Sequence, residues 1–287
     1  MSAQRLGQHF LEDVDVIDSI IAAADLSRDD TVVEVGPGRG AITGHLVDNA
    51  GRVLLLEFDE DLADRLTEKY ESAENVRVLH ADARDFGSDV DPWTREGDYK
   101  VVANLPYYAA NPITRNFLES TRKPISMVIM IQREVANDMS AKPGDMSLLS
   151  LAIQIYSTAE HVVDAPPECF NPPPKVHSTV LKLTPTNETQ IAFESEDDFF
   201  ELARSGFKSP RKQLHNSLSD GLFIPLENAR KLVEKTGFES TRRPATLSLS
   251  DWQILYDVWV EAGRPLQVQG SVRRKRQNSE KPQNPTS

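Results

Sequence analysis

The 287-residue chain predicts an α/β fold, a mostly parallel sheet covered by helices on both faces, with a small all-helical domain after it. Three observations predict this. Short β-branched runs alternate with segments of helical period over the first two-thirds of the chain. The first such run ends in a glycine-rich turn, Gly36-Pro37-Gly38-Arg39-Gly40, that opens a helix. Beyond Thr184-Pro185-Thr186-Asn187 the strand pattern stops and only helical periods remain.

The elements follow in order. Residues 12–26 carry apolar side chains at Val14, Ile17, Ile20, Ile21 and Ala24, a helical spacing. Residues 31–35 are a β-branched strand, 41–50 a helix, 52–57 a second strand and 60–71 a second helix. Strands are expected at 76–80, 99–103 and 127–131, the last followed by a helix over 133–140. Residues 147–156 read as helix, and 161–164 and 178–183 as closing antiparallel strands. The helical part is expected at 197–206, 211–218, 225–236 and 250–262. This divides the chain into a sheet domain, 1–184, a helical domain, 185–263, and a polar tail, 264–287, whose composition reads as disordered.

Composition bounds the function. No run of about 18 apolar residues occurs, and no apolar stretch follows the N-terminus, so neither a membrane span nor a secretory signal is expected. The single cysteine, Cys169, excludes an internal disulfide and fits a cytoplasmic location; beside Phe170 it reads as a packing residue. No metal is expected. The net charge is −12, but the tail holds six Lys/Arg and one Glu, which leaves the first 263 residues at −17. Against that background Arg204, Lys208, Arg211 and Lys212 lie in a stretch without any acid between 202 and 219. Local field outweighs net charge in nucleic-acid binding, so this cluster is a candidate RNA contact. The global acidity points to a structured RNA or a ribosomal particle and away from naked duplex.

The glycine turn has the spacing G-x-G-x-G, one residue shorter at its end than the dinucleotide form. A nucleoside without phosphates also needs close approach of backbone, which Gly36 and Gly38 permit. Glu57 ends the second strand, where a carboxylate can accept from both hydroxyls of a ribose. Asp82 lies just past the third strand, placed to accept from the exocyclic amine of a cofactor adenine. Open α/β sheets bind ligands along that rim. With no phosphate clamp required, S-adenosylmethionine fits the set better than NAD.

Asn104-Leu105-Pro106-Tyr107 follows the fourth strand at the same rim. An adenine N6 amine is a poor nucleophile because its lone pair is delocalised into the ring. The Asn104 side-chain oxygen can accept one N6 hydrogen. The Leu105 carbonyl, held extended ahead of Pro106, can accept the other. Tyr107 can stack on the base. The barrier then falls through placement and electrostatics, without a strong general base.

The segments Leu6-Gly7-Gln8-His9-Phe10-Leu11, Glu34 to Gly40, Asn104 to Tyr107, Phe170-Asn171-Pro172-Pro173-Pro174-Lys175-Val176 and Phe207-Lys208-Ser209-Pro210-Arg211-Lys212 together resemble the ribosomal RNA adenine N6,N6-dimethyltransferases. The macrolide-resistance 23S methyltransferases are close relatives of that family. The resemblance covers about residues 4–260. It implies a Rossmann-like S-adenosylmethionine-dependent methyltransferase sheet with a small C-terminal all-helical domain. It implies that His9 and Leu11 close over the methyl donor, and that Gly36, Gly38, Glu57 and Asp82 contact it. It implies that Asn104 serves both cofactor and catalysis, with Leu105, Pro106 and Tyr107 beside it. Phe170 falls where the family has an aromatic that sandwiches the target base against Tyr107.

Leu105, in place of isoleucine, and the 208–212 cluster lean towards the small-subunit enzyme. Its expected substrate is two adjacent adenosines in the 3′-terminal hairpin loop of small-subunit rRNA, within a pre-ribosomal particle, and the protein is expected to act as a monomer in ribosome biogenesis. Three other readings stay open at this stage: a 23S rRNA resistance methyltransferase, a non-catalytic assembly or transcription factor on the same fold, and a nicotinamide-dependent dehydrogenase.

Overall fold

A computed structural model describes residues 9–87 and 91–265. The chain begins with a short strand β1 (Phe10–Leu11) and helix α1 (Val14–Ala24), capped by the Asp13 carboxylate, which accepts from the Val16 N–H. There follow β2 (Thr31–Val35), α2 (Thr43–Asn49), β3 (Arg52–Glu57), α3 (Glu60–Lys69), β4 (Val76–His80), α4 (Pro92–Glu96), β5 (Tyr99–Asn104), α5 (Ala110–Glu119), β6 (Ser126–Gln132), α6 (Arg133–Met139) and α7 (Leu148–Gln154). Then come β7 (Ser157–Ala165), β8 (Phe170–Asn171) and β9 (Ser178–Pro185). From there every described element is helical: α8 (Glu196–Phe207), α9 (Leu214–Leu222), α10 (Leu226–Lys235) and α11 (Leu249–Glu261), with one short 3₁₀ turn before α11.

The seven-stranded sheet has the order β4-β3-β2-β5-β6-β9-β7. Its first five strands run parallel; β9 is antiparallel to both β6 and β7. The chain leaves β2 towards β3 and β4, then returns to place β5 on the other side of β2. This reversal opens a crevice at the carboxyl ends of β2 and β5. Successive strand residues face opposite sides of the sheet. Val33, Leu54, Val101, Ile129 and Leu181 enter one core with Phe117 and Ile153 and, from the helical part, Phe199, Trp252 and Trp259. Val32, Val53, Leu55, Val102 and Val128 enter the other with Ile17, Ile20 and Leu46. The α/β expectation therefore holds, with both faces covered.

Several boundaries differ from the expectations. The 147–156 helix is α7 alone, because Ser147 caps it and residues from Ser157 join the sheet. The strand expected at 161–164 extends over Ser157–Ala165 as an edge strand, with a register shift at His161/Val163. The 211–218 helix starts at Leu214, since Ser209–Lys212 form a turn and Gln213 is extended. Helices α4 and α5 were not expected; in α5, Pro112 falls in the first turn, where its missing N–H has no intrahelical partner to lose. The tail assigned to 264–287 lies outside the described residues from 266 on. Arg264 itself is held by carboxylates of Glu194 and, at 2.8 Å, Asp198.

The helical part depends on a close crossing of α8 and α9. A Cβ on Gly221 would sit 2.4 Å from the Cα of Ser205 and 2.6 Å from its carbonyl oxygen. Backbone cannot swing aside as a side-chain tip can. Gly221→Ala is therefore expected to cost roughly 3 kcal/mol, the upper end of typical overpacking, read as a lowered urea midpoint with the slope unchanged.

Candidate active site

A cavity of about 640 Å³ opens at the carboxyl rim of the sheet. It is lined by residues from four consecutive parallel strands' ends and from the two-stranded sheet formed by β1 and β8. His9, Leu11, Gly36, Gly38, Glu57, Asp82, Asn104, Leu105, Pro106, Tyr107 and Phe170 all line it. Segments as far apart in sequence as His9 and Ser178 are thus gathered in one pocket. Arg204, Lys208, Arg211 and Lys212 do not line it.

The glycine turn forms the floor. Gly36, Gly38 and Gly40 have φ of 68°, 57° and 81°, the left-handed region that side chains disfavour. A Cβ on Gly36 would meet the Asn104 carbonyl oxygen at 3.1 Å, so glycine there is what lets β2 and β5 close at the switch point. The Glu57 carboxylate is buried and accepts from the Gly38 N–H (2.9 Å) and the Asp59 N–H (3.0 Å), which fixes the turn. Each carboxylate oxygen retains a second lone pair for a ligand hydroxyl.

Asp82 is half-buried and ion-paired with Arg84, whose Nε lies 3.0 Å from both carboxylate oxygens. The hydrogen bonds from Arg84 hold the Asp82 carboxyl below its ordinary range. Asp82 thus enters the pocket as an ionised acceptor.

The walls come from the strand ends and the N-terminal strap. Leu11 pairs with Phe170 and Phe10 with Asn171. His9 Nδ1 lies 2.7 Å from the Pro172 carbonyl, and its ring stacks near Tyr107 with centroids 6.3 Å apart. The Arg39 guanidinium sits 4.0 Å above the Phe10 ring, which ties the strap to the glycine turn. Phe170 is 5% exposed; it belongs to the pocket wall and to the core. Asn104 ends β5, and the Leu105 N–H donates to the Met130 carbonyl at 3.1 Å. The Tyr107 hydroxyl is 3.4 Å from Ser178 Oγ. Among the described residues no protein group hydrogen-bonds the Asn104 side chain, so its amide is available to a ligand.

Among the pocket residues to which the sequence assigns no role, Glu34 stands out by its burial. Glu34, in the wholly buried strand β2, accepts from the Thr43 hydroxyl at 2.7 Å. Burial, helped by Glu57 and opposed by Thr43 and Lys69, pushes its carboxyl up to about 8. An acid inside Thr-Val-Val-Glu-Val was the available signal.

A glycine floor at a topological switch point, with a buried strand-end carboxylate and an acid past the next strand lining the same cavity, is the arrangement expected of an S-adenosylmethionine-dependent methyltransferase. The fit is chemical as well as geometric. The pocket's acids suit a cationic sulfonium ligand, and there is no cluster of basic side chains on the glycine turn for a pyrophosphate. The ribosomal RNA adenine dimethylase family model matches residues 2–253. The chain is 42% identical over 262 residues to the ribosomal RNA small subunit methyltransferase A of Dehalococcoides mccartyi, covering 89% of this chain and 88% of that one. It is 37% identical over 259 residues to the protein of the same name from Clostridium acetobutylicum, covering 89% and 92%. A dimethyladenosine transferase from Plasmodium falciparum superposes with a TM-score of 0.76 at 26% identity, covering 89% and 98%. The 23S rRNA methyltransferase ErmE shares the fold, with a TM-score of 0.69 at 24% identity, covering 87% and 98%. The chain belongs to the ribosomal RNA adenine dimethylase family, and it is an S-adenosylmethionine-dependent rRNA dimethyltransferase.

Glu57→Gln keeps the volume but turns one acceptor into a donor facing the Gly38 N–H. Cofactor binding is expected to weaken roughly ten- to hundredfold, given about 1.5–3 kcal/mol for hydrogen bonds to a charged group. Titration calorimetry with S-adenosylhomocysteine checks it; unchanged affinity would remove Glu57 from the ribose contact.

Proposed function

We propose that the enzyme dimethylates N6 of two adjacent adenosines in the 3′-terminal hairpin loop of small-subunit (16S) rRNA, within a pre-ribosomal particle. It acts there as a cytoplasmic monomer in small-subunit biogenesis. The observation that carries the reading is Asn104-Leu105-Pro106-Tyr107 at the end of β5, sharing one cavity with the glycine turn, Glu57 and Phe170. The bacterial relatives, named as small-subunit rRNA methyltransferases, favour the small subunit over the large.

S-adenosylmethionine supplies a methyl group on a sulfonium, already activated for displacement. The chain's own residues present the amine. The Asn104 side-chain oxygen and the Leu105 carbonyl accept the two N6 hydrogens and favour a more tetrahedral nitrogen. The Tyr107 and Phe170 rings hold the base between them. Gly36, Gly38, Glu57 and Asp82 would hold the donor, whose sulfonium would supply the methyl electrophile and leave as a neutral thioether. The protonated product amine then loses its proton to water. The second transfer uses an amine with a single N–H, so the same clamp works with one hydrogen bond fewer. A loop target reduces the unstacking cost of presenting each base.

Incubation with labelled methyl donor and either assembled small-subunit particles or protein-free 23S rRNA tests the reading. Label is expected in two adjacent adenosines of 16S rRNA. Label confined to 23S rRNA would favour the resistance-type activity instead.

A further inference from the structure

We propose that Phe223 is a base-stacking point for single-stranded RNA outside the catalytic cavity, with Lys208, Arg211 and Lys212 holding the phosphates beside it. The inference rests on the rRNA substrate reading and extends it from the pocket to the helical domain.

Phe223 follows α9 with φ 55° and ψ 36°. That left-handed conformation is costly for a bulky side chain and is normally taken by glycine or asparagine. The residue is nevertheless 42% exposed, so core burial does not account for it. Strain of this kind at an exposed aromatic points to function. The surroundings specify the ligand. The Lys208 ammonium lies 4.3 Å from the ring centroid. It donates to the Asp220 carbonyl at 2.6 Å, and the Lys212 ammonium reaches the Asp220 carboxylate at 2.8 Å. The turn that carries these cations is itself fixed. The Ser209 N–H donates to Ser217 Oγ (3.1 Å), which donates back to the Ser209 carbonyl (2.9 Å). Arg211 on the same turn is exposed. Asp220 offsets one of the three cations, leaving a local charge of about +2 around one exposed ring. A π face flanked by cations fits an unstacked base with its phosphates, since stacking tolerates any base and cations follow the backbone.

The test measures binding of a small-subunit rRNA transcript to full-length protein by filter retention over a range of salt. Phe223→Leu, which keeps bulk without a π face, and Phe223→Gly, which relieves the backbone, are each expected to weaken binding roughly 5- to 100-fold. The slope of log affinity against log salt stays unchanged in both. Phe223→Trp keeps wild-type affinity or exceeds it. The triple variant K208Q/R211Q/K212Q instead lowers the salt slope. Cofactor affinity stays at the wild-type value throughout. Wild-type binding by both Phe223→Leu and Phe223→Gly overturns the stacking point alone. Failure of the wild-type protein to methylate any rRNA overturns the substrate reading beneath it.

Discussion

Asn104→Ala is expected to lower the rate of methyl transfer by about 10² to 10³, the usual cost of removing one acceptor or donor aimed at charge that develops in the transition state. The residue ends β5, where the register with Met130 and the Leu105 N–H to Met130 carbonyl bond hold the backbone. Truncating the side chain leaves those bonds intact. No described protein group depends on the amide for a hydrogen bond, so stability changes little. Nucleophilicity is what suffers. In the proposed role of Asn104, loss of the side-chain oxygen leaves the N6 lone pair conjugated with the ring and no longer aimed at the sulfonium methyl. Single-turnover transfer of labelled methyl to rRNA, with the thermal midpoint as control, separates the two. Unchanged dimethylation by a folded Asn104→Ala protein would transfer the role to other groups of the tetrapeptide.

Much of the sheet was legible because strands buried on both faces read as continuous apolar runs, as in Val53 to Leu56, and because glycine marks the switch point. The pocket residues were legible for a related reason: parallel strands put their carboxyl ends on one rim, so strand ends alone place Glu57, Asp82 and Asn104 together. What escaped was non-local. The pairing of Leu11 with Phe170 depends on the fold bringing two short segments together, and neither segment has a strand pattern of its own. The start of α9 was misplaced because Arg211 and Lys212 suit a helix, yet the Ser209–Ser217 and Lys212–Asp220 bonds hold them in a turn. Arg84, which occupies the Asp82 carboxylate, is visible only in three dimensions. The charge state of Glu34 likewise follows from burial that no local window reveals.

That charge state leads to the largest expected effect on stability. Glu34 is 2% exposed, and its carboxyl is pushed up from 4.5 to about 8 chiefly by loss of hydration. The folded state therefore holds a proton that the unfolded chain releases above pH 4.5. Stability from this group is fully present below pH 4.5 and falls as pH rises towards 8, because the unfolded state gains by ionising while the folded state does not. Above pH 8 both states are ionised, and the loss is complete. A shift of this size amounts to about 5 kcal/mol. Glu34→Gln mimics the protonated form, accepts the Thr43 hydroxyl as before and has no proton to lose. Its unfolding free energy relative to wild type is expected to rise through the window from pH 4.5 to 8 by several kcal/mol, then level off. Urea unfolding at pH 5, 7 and 9 checks it. A difference between variant and wild type that does not change with pH would mean that Glu34 stays ionised in the fold, balanced by Lys69 and Thr43.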